Sequence, residues 1–187
     1  MCVSECGPLI VSDEIVVRGN VNRIGSYIRL DCKEGYIPSF TKNTVECINT
    51  GNWTEHDMTC ECEAGWTKFQ TSCYQYFANQ SFWDEAKRAC EDDNAQLVSI
   101  TSQEEYNFVH SYIQEANVGA IWIGASDRRV EGSWTWISGE KWDYKRFAEG
   151  EPNGGRKTNC LIMRNNSGWE DIGGKTNRFC YMCERKV

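Results

Sequence analysis

Ser81-Phe82-Trp83-Asp84-Glu85-Ala86 opens a helix in which Trp83, Ala86 and Cys90 recur along one face, and the Ser81 hydroxyl is placed to cap its first turn. A second helix follows: Ser102-Gln103-Glu104-Glu105 has capping-box spacing, and Tyr106, Val109 and Ile113 return at helical intervals toward a core. After Gly119 the helical period stops. Short apolar runs, 120–124, 134–137, 160–163 and 179–183, then alternate with Gly-rich loops, as strands do. Two early helices followed by strands predict an α+β fold.

Upstream, residues 6 to 60 carry Cys6, Cys32, Cys47 and Cys60 between short alternating stretches with no helical period, which predicts a small all-β module. In Tyr27-Ile28-Arg29-Leu30-Asp31-Cys32 the apolar Ile28, Leu30 and Cys32 share one face, and Arg29 and Asp31 the other. About 55 residues bury too little surface to be comfortable alone, so crosslinks that restrict the unfolded chain are expected.

Eleven cysteines in 187 residues point to an oxidising, secreted or extracellular setting, because cytosolic thiols stay reduced. Sequons at Asn52, Asn79 and Asn165 agree with it. The formal net charge of −7 and the lack of a Lys/Arg run argue against a nucleic-acid partner. No apolar stretch is long enough for a membrane span, and Met1 leads into Cys2 without an apolar leader, as in a mature or excised piece. Catalysis is not expected: only His56 and His110 are present, and no serine or carboxylate pair accompanies a plausible base.

Two families account for these landmarks. Cys6-Gly7-Pro8, the run Gly25 to Tyr36, and Cys47 with Gly51-Asn52-Trp53 and Cys60 resemble a sushi (complement control protein) module over residues 1–60. That resemblance implies pairing of Cys6 with Cys47 and Cys32 with Cys60, with Trp53 in the small core. Cys62, Gly65-Trp66, Cys73-Tyr74, Phe82-Trp83, Cys90, Trp122-Ile123-Gly124, Trp134-Trp136, Glu151-Pro152-Asn153, Asn159-Cys160, Trp169-Glu170-Asp171 and Cys183 are similar to a long-form C-type lectin-like domain over residues 61–187. The implied fold has two helices, mixed antiparallel sheets and a long loop region.

This second resemblance implies pairing of Cys62 with Cys73 and Cys90 with Cys183. The family's usual partner for Cys160 lies five residues after Trp169, where Gly174 stands, so Cys180 is the expected substitute. Cys180-Tyr181-Met182-Cys183 can also be read as a redox or zinc CxxC pair. Cys2 is left over, available for an interchain bond and hence an oligomer, or for a partner further upstream.

The resemblance places calcium on Glu151, Asn153, Glu170 and Asp171, whose oxygens suit a hard cation that takes six to eight such ligands. A cis bond at Glu151-Pro152 is expected to turn both flanking side chains toward one point. Carbohydrate would contact Glu151, Asn153, Thr158, Glu170 and Asp171, since two ring hydroxyls complete the ion's coordination while bonding its ligands. In the family, Glu-Pro-Asn goes with mannose, fucose or N-acetylglucosamine. Thr158 and Glu170 stand where the family has Glu and Asn, so hydrogen-bond donor and acceptor are transposed on that side.

A second metal position is suggested by Asp127, Glu131 and Asn159, although Gly154 and Thr158 replace two family carboxylates there. Trp122, Trp134, Trp136 and Trp169 match packing positions rather than sugar platforms. Tyr144, Arg156 and Lys157 flank the metal loop, and the two cations suit an anionic glycan. The function implied is calcium-dependent glycan recognition or adhesion. The alternative is a calcium-independent protein-binding module, because the fold hosts both.

Overall fold

The computed structural model describes residues 4–186, so Cys2 lies outside the described residues. The chain divides into two compact units, with the boundary between Thr71 and Ser72.

The first unit is built of strands. β1 (Ile15–Arg18), β2 (Tyr27–Cys32) and β4 (Thr44–Glu46) form one antiparallel sheet, and β3 (Tyr36–Ser39) pairs with β5 (Thr59–Cys62); β6 (Thr67–Phe69) follows. The alternation in β2 sends Ile28 and Leu30 inward against Val45, Cys47 and Met58, while Tyr27 and Arg29 face water. Disulfides join Cys6 to Cys47 and Cys32 to Cys60, and Cys62 is disulfide-bonded as well. So small a core gains much of its order from such crosslinks. Trp53 is not in that core: it is half-buried, and its indole N–H donates to the Gly7 carbonyl at 2.7 Å.

The second unit, Ser72–Lys186, contains β7 (Ser72–Ser81), α1 (Trp83–Asp92), β8 (Gln96–Leu97), α2 (Gln103–Glu115), β9 (Ala120–Ser126), β10 (Thr135–Trp136), β11 (Cys160–Arg164), β12 (Gly168–Ile172) and β13 (Phe179–Lys186). Its sheet runs β12-β11-β9-β13-β7, with β10 on β9 and β8 on β13. Only β13 and β9 run parallel among these pairs. The fold is therefore α+β, with Leu97, Ile100, Val109, Ile113, Ile121, Trp122, Leu161, Met163 and Met182 fully buried. Gly124 permits a close approach there, because a Cβ on it would lie 2.3 Å from the Leu97 carbonyl oxygen.

The helices keep the predicted faces but not both predicted caps. Ser81 ends β7 with its side chain buried, and the Glu85 carboxylate instead accepts the Phe82 N–H at 3.0 Å to close the first turn of α1. Ser102 does cap α2, accepting from the Glu105 N–H at 3.1 Å. Glu105 does not complete the box. One of its oxygens takes the N–H and hydroxyl of Thr101, at 2.7 and 3.0 Å.

Cys90 is bonded to Cys183, tying α1 to β13, and Cys73 is also disulfide-bonded. The expected Cys160–Cys180 disulfide is absent: both thiols are free and buried. Strand order is the reason. Cys160 faces Ser126 on one side of β9 and Cys180 faces Ile121 on the other, which separates them by more than about 10 Å, beyond what a disulfide spans. Cys180 donates instead to the Ala78 carbonyl at 3.2 Å, and burial pushes the Cys160 thiol up to about 12. The CxxC reading falls with it, since Cys183 is already committed to Cys90.

Candidate functional site

The long segment between β10 and β11 is pinned by aromatic rings. Trp169, fully buried at the start of β12, meets Trp136, Trp142, Tyr144 and Phe147 at centroid distances of 5.5, 5.8, 5.8 and 6.0 Å. A backbone bridge ties Phe147 to Trp169, and the Ala148 N–H donates to the Trp169 carbonyl at 2.9 Å. Trp122, Trp134, Trp136 and Trp169 are all buried and serve packing, as expected of them. Trp142 and Phe147 were not singled out from sequence, and only their shared contact with Trp169 reveals them.

From this anchor the loop passes through a cis Glu151-Pro152 bond and a single turn of 3-10 helix, Gly155–Lys157. Asp171 on β12 is the fixed point of the site. It is 8% exposed, and its two oxygens accept the N–H groups of Asn153 at 2.8 Å and Gly154 at 3.0 Å together with the Thr158 hydroxyl. Burial alone would raise its carboxyl, but those bonds, from Thr158 first and then the Asn153 amide, outweigh burial and hold it below the usual range. Glu151 is raised instead, by burial and next by the facing Asp171 carboxyl.

Glu151 Oε1 accepts from the Asn153 side-chain amide at 2.7 Å. Its Oε2 is buried with no hydrogen-bond partner among the described residues. A buried, partnerless carboxylate oxygen facing a second carboxylate is costly unless a proton or a cation lies between them. Oxygen-only donors of this kind fit a hard divalent cation, so Glu151, Asn153 and Asp171 suit calcium. No three His, Cys, Asp or Glu side chains cluster as a metal cage among the described residues, so amide and hydroxyl oxygens would have to share the coordination.

Glu170 is adjacent but turned elsewhere. Arg164 Nε donates to its Oε2, and the Ser167 hydroxyl to its Oε1 at 3.2 Å. Thr158 covers Gly154: a Cβ on Gly154 would lie 2.1 Å from Thr158 Oγ1 and 2.7 Å from Cγ2. The two departures from the family pattern are thus one arrangement, with Thr158 occupying the volume that a side chain at 154 would need.

Asp127, Glu131 and Asn159 do come together, lining a pocket of about 570 Å³. Asp127 is 2% exposed, and its oxygens accept from the Gly132 N–H at 2.8 Å and the Asn159 amide at 3.2 Å. Arg128, Arg129 and Arg156 line the same pocket, and that positive charge opposes a cation. Arg128 is held by Asp84 and lies over the Trp83 ring, 4.8 Å from its centroid. The Tyr144 hydroxyl donates to the Gln103 side chain at 3.1 Å.

Comparison with known proteins agrees with this architecture. The model of the lectin C-type domain matches residues 79–185, and that of the sushi (SCR) repeat matches residues 6–62. The mouse low affinity immunoglobulin epsilon Fc receptor is 34% identical over 125 residues, covering 66% of this chain and 37% of the receptor. The chain spans about a third to a half of the length of the curated relatives it matches. Among solved structures, a cow C-type carbohydrate-recognition domain of CD23, in the presence of GlcNAc2Man3 oligosaccharide, is 33% identical with a TM-score of 0.62 and covers 67% of this chain and 96% of that one. A calcium-independent type II antifreeze protein is 29% identical with a TM-score of 0.62, covering 67% and 94%. C-type lectin domains are binding modules, and no helix among the described residues is long and apolar enough to cross a membrane. The chain belongs to the C-type lectin domain family and carries a sushi repeat ahead of its lectin domain.

Proposed function

We propose that this chain binds carbohydrate through a single calcium ion held by Glu151, Asn153 and Asp171, with Glu170 as a further ligand. The observation that carries the reading is the crowding of two carboxyls, Glu151 beside Asp171, with the Glu151 Oε2 buried and without a hydrogen bond of good geometry among the described residues. When bound, the ion supplies open coordination for two neighbouring sugar hydroxyls. Around it, Glu151 accepts a hydrogen bond and the Asn153 amide donates one, the pairing associated with mannose, fucose and N-acetylglucosamine. The Thr158 hydroxyl donates to Asp171, so it would meet a sugar hydroxyl as an acceptor and not as the donor expected from the sequence. The cow relative in the presence of GlcNAc2Man3 supports a glycan of this class.

One ion rather than two is favoured by Arg128, Arg129 and Arg156, whose positive charge lines the pocket beside Asp127. In this reading residues 61–187 form the binding domain of an extracellular protein and residues 1–60 a spacer. Copies joined through Cys2 would supply the avidity that one shallow site of about millimolar strength lacks.

A calcium-independent protein-binding role is the competing reading, favoured by one observation: Glu170 is already satisfied by Arg164 and Ser167. Calcium titration by calorimetry, followed by a glycan array with and without chelator, separates the two. Calcium-dependent glycan signals that disappear in Glu151→Gln and Asp171→Asn are expected. Absence of both calcium heat and chelator-sensitive glycan binding in the wild type would transfer the assignment to protein binding.

A further inference from the structure

We infer that Arg164 is a built-in competitor for the calcium site, holding the Glu170 carboxylate in the metal-free protein and surrendering it as the ion binds. The inference rests on the calcium reading above. On the β11/β12 ladder Ile162 faces Glu170 and Arg164 faces Gly168, so Arg164 and Glu170 are diagonal neighbours on one face of the hairpin. Gly168 offers no side chain across from Arg164, and the acidic group that the guanidinium engages is Glu170.

Both Glu170 oxygens are therefore satisfied from within the hairpin, by the Arg164 guanidinium and the Ser167 hydroxyl. Asp171 is held differently, by backbone N–H groups and a hydroxyl that leave its charge uncompensated. A dication and a guanidinium draw on the same carboxylate charge, and full strength toward one lowers it toward the other. The Arg164 and Glu170 side chains are 36% and 20% exposed, and ion pairs in contact with water are weak enough for a divalent ion to displace. Calcium affinity is thereby set below what these oxygens would provide without Arg164.

The test is calorimetric titration of calcium into the wild type, Arg164→Ala, Arg164→Gln, Glu170→Ala and the Arg164→Ala/Glu170→Ala pair, each first shown to melt cooperatively. Removing Arg164 by either substitution is expected to tighten calcium binding roughly tenfold, the scale of one unit charge near a partly screened dication. In the Glu170→Ala background the gain should vanish. Independently, the Arg164 Nε–H resonance should be protected from exchange in chelator and lose that protection as calcium is added. Equal calcium affinity in the wild type and both Arg164 variants would overturn the inference and leave the calcium reading intact. The same gain with Glu170 absent would also overturn it, since bulk charge would then be responsible. No calcium heat in any of the five proteins would overturn both.

Discussion

The Cys160 sulfur points at Gly174: a Cβ on that glycine would lie 2.6 Å from Sγ. The chain has kept one half of a crosslink and the receiving geometry for the other. Gly174→Cys should therefore close a disulfide with Cys160 after a small shift of the loop. A loop of about 15 residues would stabilise the domain by about 1–3 kcal/mol. Peptide mapping without reductant and the thermal midpoint with and without reductant check this; two free thiols at 160 and 174 in the folded protein would refute it.

Stability should fall with rising pH because of a buried acid on β13. Glu184 is 4% exposed and accepts from Ser72 at 2.9 Å, from the Ser99 N–H at 3.2 Å and lies 3.2 Å from the Tyr74 hydroxyl, which donates to Glu105 at 2.7 Å. Burial, and next the Glu105 charge, raise its carboxyl to about 8. The native state therefore holds a proton that the unfolded chain releases near 4.5, and its contribution is complete below about 4.5 and lost as pH climbs through about 8. Glu184→Gln should flatten this slope, on the order of a few kcal/mol between about pH 5 and 8.5, in denaturant melts.

Gly154 and Thr158 should behave as one unit. Gly154→Ala forces a Cβ into the Thr158 side chain and should cost about 1–3 kcal/mol. Thr158→Gly in the same chain should recover most of that loss, although Thr158→Gly alone strips a hydroxyl from Asp171. A double-mutant cycle with no coupling energy would show that the two positions act separately.

Trp142→Ala removes a half-buried ring lying 4.7 Å from Trp136 and 5.8 Å from Trp169. It should cost about 2 kcal/mol and weaken calcium binding severalfold, although Trp142 contributes no oxygen to the site. Calorimetry and thermal melts read both effects.

What the sequence discloses follows from which interactions are local. The faces of α1 and α2 are visible because Trp83, Ala86 and Cys90, or Tyr106, Val109 and Ile113, repeat within a few residues. Ser81 misleads because its hydroxyl resembles a cap while β7, whose run from Ser72 to Ser81 mixes polar and aromatic residues without alternation, carries it into a strand. Cys180 misleads because proximity in the chain says nothing of β9 lying between β11 and β13. The oxygens of Glu151, Asn153 and Asp171 can be named from their motifs. The grip of Arg164 on Glu170 and the fit of Thr158 over Gly154 depend on hairpin register and loop path, which no local pattern encodes.

The ladder between β7 and β13 places Ser72 directly opposite Lys186. Polypeptide thus enters and leaves this body through adjoining doorways at a single rim. A module so arranged can be spliced into chains of quite different length and ancestry without rethreading its interior, since whatever flanks it attaches at the same spot.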